Sequence, residues 1–206
     1  MIRHPNTDHD YITTISGINF PANPDNLLPE HIDLRDIVAG LSNMPRYQGQ
    51  CRIGIVETIA EHSILVHHLA YAKGERDPDV LRAALLHDAH EAYTGDLASP
   101  QKRHVRGWRS FENRVEAVVR EALGLGRRFV PKEVWKRIKE YDTMILHREI
   151  GPSSPLRVVP PDWYDPNIDA QVPNHIQVRA LTPRLVARVF EENLRLCGFD
   201  VPESIG

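Results

Sequence analysis

Cysteine is nearly absent. Cys51 and Cys197 stand far apart and outside any C-x-x-C spacing, so both are expected to be free thiols in a reducing compartment. The N-terminus, Met1-Ile2-Arg3-His4-Pro5-Asn6, has no apolar signal core, and no segment approaches the ~20 apolar residues of a membrane span. A cytoplasmic location with no membrane partner is therefore expected. An excess of either charge is missing too: 25 Lys and Arg stand against 28 Asp and Glu, a formal net charge of -3. A duplex binder needs a basic surplus, so no nucleic-acid partner is expected, while small anionic substrates remain open. There is no internal repeat and no run of alternating strand residues.

What is present is an ordinary globular composition, 41% hydrophobic and 26% charged over 206 residues, enough for one domain with a full core. Residues 1–32, punctuated by Pro21, Asn23, Pro24, Asp25 and Pro29, read as an extended arm with a short turn at Ile18-Asn19-Phe20. Helical periodicity starts at Asp33, a capping residue ahead of Leu34, Ile37, Val38 and Leu41. Pro45 breaks the chain before Arg46-Tyr47. Thr58-Ile59-Ala60-Glu61 fits a capping box, and Ile59, His62, Val66 and Leu69 follow on one face. Asp77-Pro78 opens a helix expected to run to Gly95. Further helices are expected over 107–123, with Phe111, Val115, Val118, Val119 and Ala122 inward, and from Pro131 to Gly151, with Trp135, Ile138, Asp142 and Ile145 on one stripe. Residues 152–177 form a proline-rich loop. A last helix starts at Thr182-Pro183, with Leu185, Val186, Val189 and Leu196 expected to face inward. The expected fold is all-α: a single unit with an arm (1–32), a helical core (33–151), the loop (152–177) and a C-terminal helix (178–206).

The chemistry concentrates at Leu85-Leu86-His87-Asp88-Ala89-His90-Glu91. Asp88 shares an apolar stripe with Leu81, Ala84, Leu85 and Ala92, where a carboxylate is costly unless paired or bound to a cation. His62 and Asp142 occupy core-facing positions on two other helices. Each alone has a plain structural reading: His62 as a hydrogen-bonded core residue, Asp142 salt-bridged to Arg137 or Arg148. Together, two imidazoles and two carboxylates suit a borderline divalent ion such as Zn, Co, Mn, Fe or Ni, and such an ion can acidify a water into a nucleophile. His90 is expected to point outward.

The order His62, His87-Asp88, Asp142 resembles the HD-domain phosphohydrolase superfamily, whose fold is a helical bundle holding one or two metals. Arg46-Tyr47, Ala60-Glu61-His62-Ser63, Leu86-His87-Asp88-Ala89-His90-Glu91 and Thr94-Gly95-Asp96-Leu97-Ala98-Ser99-Pro100-Gln101-Lys102 resemble its 5'-deoxynucleotidase (YfbR-like) branch, which also contains a phage dATP triphosphohydrolase. The resemblance covers about residues 12–150. It implies His62, His87, Asp88 and Asp142 as ligands of one or two divalent ions (Co, Zn, Mn, Mg or Ni). It implies Glu91 and Asp96 as catalytic carboxylates, and Arg46, Tyr47, Pro100 and Lys102 as substrate contacts. The bland readings are a solvated cation for Arg46 and for Lys102, a surface carboxylate for Glu91 and a cap for Asp96. The implied partner is a small deoxynucleotide, attacked at its α-phosphate, and the implied assembly is a homo-oligomer, a dimer or higher. A mixed-valent di-iron oxygenase would need further histidines between His87 and Asp142, and a non-catalytic nucleotide sensor would use the metal structurally. The glutamate-aspartate pair of (p)ppGpp hydrolases is replaced here by His90-Glu91.

Overall fold

The computed structural model describes residues 10–126, 130–156 and 161–201. Residues 1–9 of the expected arm, 157–160 of the loop and 202–206 of the C-terminal segment lie outside the described residues. The described chain is helical apart from one small hairpin, in keeping with an HD-type helical bundle. The hairpin is where the arm differs from expectation. Strand β1 (Tyr11–Thr13) pairs antiparallel with β2 (Asn19–Pro21), with Ile12 opposite Phe20, and the turn lies before Ile18-Asn19-Phe20 rather than on it. Its anchor is Asp36, which accepts hydrogen bonds from the Ser16 backbone N–H and hydroxyl at 2.8 Å each. Short 3-10 turns at Pro24–Asn26 and Pro29–His31 lead to helix α1 (Leu34–Asn43), which Asp33 caps by accepting from the Arg35 N–H.

Helix α2 (Ile59–Ala72) is the centre of the bundle. Every residue from Ile59 to His67 is buried, the polar Glu61, His62, Ser63 and His67 included. It packs against α1, α3 (Pro78–Leu85), α7 (Lys132–Ile150) and α9 (Pro183–Leu196). Between them lie α4 (Glu91–Thr94), α5 (Ser99–Lys102), α6 (Trp108–Ala122) and α8 (Pro166–Asp169), the last a single turn inside the proline-rich loop. Gly40 of α1 lies so close to α4 that a Cβ there would sit 2.9 Å from that of Ala92.

Three local expectations need correction. The helix opened by Asp77 does not run unbroken to Gly95. It stops at Leu85, and residues 86–90 form turns with bonds three residues apart, from the Ala89 N–H to the Leu86 carbonyl and from the Glu91 N–H to that of Asp88. Thr58 does cap α2 by accepting from the Glu61 N–H, but the Glu61 side chain does not return to close a capping box. It reaches across to accept from the N–H groups of Arg179, Ala180 and Leu181 at 2.7, 3.0 and 2.9 Å. In α9 the inward stripe is Val186, Phe190 and Leu194, while Leu185 and Leu196 are exposed. Spacing by fours from Val186 wins because Phe190 brings far more apolar surface than the alternatives.

Candidate metal centre

The four expected ligands come from three places. His62 stands in the first turns of α2, His87 and Asp88 in the turns after α3, and Asp142 midway along α7. Neighbouring residues on a regular α-helix diverge. The tightened turns after Leu85 let His87 and Asp88 converge, with His87 Nε2 3.0 Å from Asp88 Oδ2. His62 Nε2 lies 3.3 Å from His87 Nε2, 3.1 Å from Asp142 Oδ1 and 3.8 Å from Asp88 Oδ2. Ligand bonds of about 2.1 Å place donors roughly 3.0–3.4 Å apart in octahedral or tetrahedral arrangements, so the set fits a divalent ion.

The outer hydrogen bonds sharpen that fit. His87 Nδ1 lies 3.0 Å from the Ala84 carbonyl, and His62 Nδ1 lies 2.5 Å from Glu149 Oε1. Carbonyl and carboxylate accept only, so both rings donate from Nδ1 and both Nε2 atoms point at one spot. Two facing lone pairs 3.3 Å apart repel unless a proton or a cation lies between them. Burial and Arg46 would lower the basicity of His62, but Glu149 and Asp142 outweigh them and hold it up to about 9. Burial would raise Asp142 and Asp88, yet the two histidines hold both carboxyls below the usual range. His62, His87 and Asp142 thus form a buried, cation-ready cluster.

Asp142 is salt-bridged to neither Arg137 nor Arg148. Arg137 pairs with Glu75 at 2.9 Å, and Arg148 binds Asp169. The second Asp142 oxygen takes Lys139 Nζ at 2.5 Å, leaving Oδ1 to the centre.

Around the ligands stands a ring of ionisable groups. Glu91 is buried, with Oε1 3.5 Å from Lys102 Nζ and Oε2 unpaired within the protein. Burial, then Asp88 and Asp96, push its carboxyl well above the usual range, and Asp96 is raised by burial and Asp88. Lys102 is clamped by Glu112 at 2.5 Å as well as by Glu91. His90 is buried rather than outward, its Nε2 3.7 Å from Glu112. His90, Glu91 and Glu112 form a second group of close donor atoms, with the Lys102 ammonium on both of its carboxylates.

Arg46 is buried, its guanidinium 3.1 Å from Glu149 Oε2, with Nε unpaired. Tyr47 gives its hydroxyl to the same oxygen at 2.6 Å. Tyr47 and Gln48 hold φ near +56 and +53, a left-handed conformation that costs non-glycine residues roughly 1–2 kcal/mol each. Gln48 then donates to Gln101 in α5 at 2.5 Å, so the Arg46 turn and the Pro100 turn are joined; Pro100 itself is exposed.

Sequence reasoning passed over Glu149, Lys139, Glu112 and Glu57. Glu149 was detectable, since seven residues past Asp142 is two helical turns along the same face. Glu57, fully buried and pushed well above the usual carboxylate range by burial and by Glu149, carries no local signal.

A family model described as 5'-deoxynucleotidase YfbR-like matches residues 35–150. The chain is 32% identical over 139 residues to the uncharacterized protein YfdR of Escherichia coli strain K12, covering 68% of this chain and 70% of that one. It is 34% identical over 123 residues to an uncharacterized protein of Rhodobacter capsulatus, covering 59% and 62% respectively. The matched family span opens inside α1, takes in every ligand of the cluster and ends just past Glu149. The chain belongs to the 5'-deoxynucleotidase YfbR-like family of HD-type proteins.

Proposed function

We propose that the protein is a divalent-metal-dependent phosphohydrolase of 2'-deoxynucleotides that attacks the α-phosphorus and releases the deoxynucleoside. The observation that carries this reading is the convergence of His62, His87, Asp88 and Asp142 beside two carboxyls raised above the usual carboxylate range. A bound ion (Co, Zn, Mn, Mg or Ni, one or two) would be held by those four residues. When bound, it supplies a Lewis acid for a phosphate oxygen and acidifies a water.

The chain's own residues do the rest. Glu91, raised by burial, takes the proton of the attacking water and returns one to the departing 5'-oxygen, a role worth roughly 10²–10⁴ in rate. The new bond joins water oxygen to phosphorus, and the bond broken is that from phosphorus to the 5'-oxygen. Asp96 is a second carboxylate beside the reacting phosphate. Arg46 and Lys102 balance charge gathering on the phosphate oxygens. Tyr47 and Pro100 flank the nucleoside, with Tyr47 set by its hydroxyl bond to Glu149. A monophosphate would yield phosphate, a triphosphate the polyphosphate. We also propose a homo-oligomer working in the cytoplasm; no described helix is long and apolar enough to cross a membrane.

The test is phosphate release from each dNMP and dNTP, with and without added pyrophosphatase, in Co, Mn, Zn, Ni or Mg. Turnover that needs a divalent ion and prefers deoxyribose is expected. Absence of turnover with every nucleotide and ion would overturn the assignment.

A further inference from the structure

One carboxylate touches both halves of the proposed site. Glu149 is wholly buried on α7, seven residues beyond Asp142 and on the same face. The His62 ring spans the interval, with Nε2 against Asp142 Oδ1 at 3.1 Å and Nδ1 against Glu149 Oε1 at 2.5 Å. The other Glu149 oxygen takes the Tyr47 hydroxyl at 2.6 Å and the Arg46 guanidinium at 3.1 Å. An ionised carboxylate has lone pairs for all three donors, and burial makes each of these bonds strong.

We propose that Glu149 is a positioning residue. It locks His62 in the tautomer that turns Nε2 to the ion, and it ties the strained Arg46-Tyr47-Gln48 turn to that same imidazole. The role of this turn in holding substrate rests on the function proposed above; the effect on the cation does not. An imidazole whose far nitrogen donates to a carboxylate is fixed in orientation and binds metal better, and losing such a partner typically weakens binding roughly 10- to 100-fold. The Tyr47 hydroxyl donates to Glu149 Oε2 at 2.6 Å, so its influence on the cation is read through Glu149.

The experiment measures Co(II) affinity by competition against a chelator in alkaline buffer, where protons compete least with the ion, together with the visible spectrum of the bound ion, for the native chain, Glu149→Gln, Tyr47→Phe and the double variant. Glu149→Gln is expected to weaken Co(II) roughly 10- to 100-fold and to alter the spectrum. Tyr47→Phe is expected to weaken it about 2- to 5-fold, and that effect is expected to vanish in the Glu149→Gln background. Unfolding midpoints in chelator report folding separately. Unchanged Co(II) affinity and spectrum in Glu149→Gln, whatever its midpoint, overturn the proposal. Should Glu149→Gln fail to fold, Tyr47→Phe decides alone, and native affinity there overturns it. A native chain that binds no Co(II) removes this proposal and the hydrolase reading together. Binding that behaves as expected without nucleotide turnover removes only the latter.

Discussion

Because His62 must surrender a proton before a cation can take its Nε2, metal binding and acidity are coupled, and the coupling has a predictable sign. Glu149 and Asp142 hold His62 up to about 9, so the ring is an imidazolium at neutral pH until an ion displaces the proton. Below about pH 9 each unit of acidification then costs tenfold in affinity. Between pH 8 and pH 6 the loss is about 100-fold, or roughly 3 kcal/mol. Stability in chelator follows the opposite slope. A folded pKa raised from the ordinary 6.5 gives stability fully present below 6.5 and lost as pH rises toward 9, roughly 3 kcal/mol in all. At about 2–4 °C per kcal/mol for a chain of this size, the midpoint should fall by roughly 6–12 °C across that window. The buried Glu57 and Glu91 and the half-buried Asp96 are also raised, so each contributes stability that is lost as pH climbs through its folded value. The assay is a pair of melting series from pH 6 to pH 9, one in EDTA and one in excess Co(II), with Co(II) affinity by titration at each pH. A chelated midpoint that rises with pH, or affinity flat from pH 6 to pH 8, refutes the reasoning.

Glu91→Gln should keep Co(II) affinity, since Glu91 lies outside the four-ligand cluster, while lowering kcat by roughly 10²–10⁴ in steady-state assays. Gly40→Ala drives a methyl to 2.9 Å from the Ala92 Cβ and should cost about 1–3 kcal/mol in urea unfolding, because helix must shift against helix. Phe190→Ala should cost about 3–5 kcal/mol and Leu196→Ala about 0.5 or less, a contrast that chemical denaturation would read directly.

The helical character and the placement of His62 and Asp142 on inward faces were legible because each depends on spacing along a single element. Asp33, Thr58 and Asp77 cap where short polar side chains precede an apolar period, and each side chain accepts the expected backbone N–H. His62 and Asp142 were conspicuous as polar residues on apolar stripes. What failed involved a choice among competing contacts. Nothing local in Leu86-His87-Asp88 announces that the helix will tighten there; that outcome pairs an imidazole with its own neighbour over a shared focus. Glu61 matched a capping box by spacing, but three N–H groups from residues far along the chain offered its carboxylate more than the Thr58 N–H could. In α9 two phases of the same leucines and valines were nearly equivalent until Phe190 was weighed. The burial of His90 beside Glu112 joins residues from separate segments, so no single periodicity could show it.

The reach of Glu61 has a consequence for where the working unit stops. The family match ends at residue 150, yet the helix that presents His62 keeps an acidic side chain sunk in the interior whose hydrogen-bond donors lie at 179–181. A chain trimmed to the matched span would lose those three donors, one position from a candidate ligand, and would open to water the face of α2 that α9 covers. The last quarter of the sequence thus braces the helix that carries His62, and shortening it from that end should weaken Co(II) binding in a competition titration before any residue of α7 is lost.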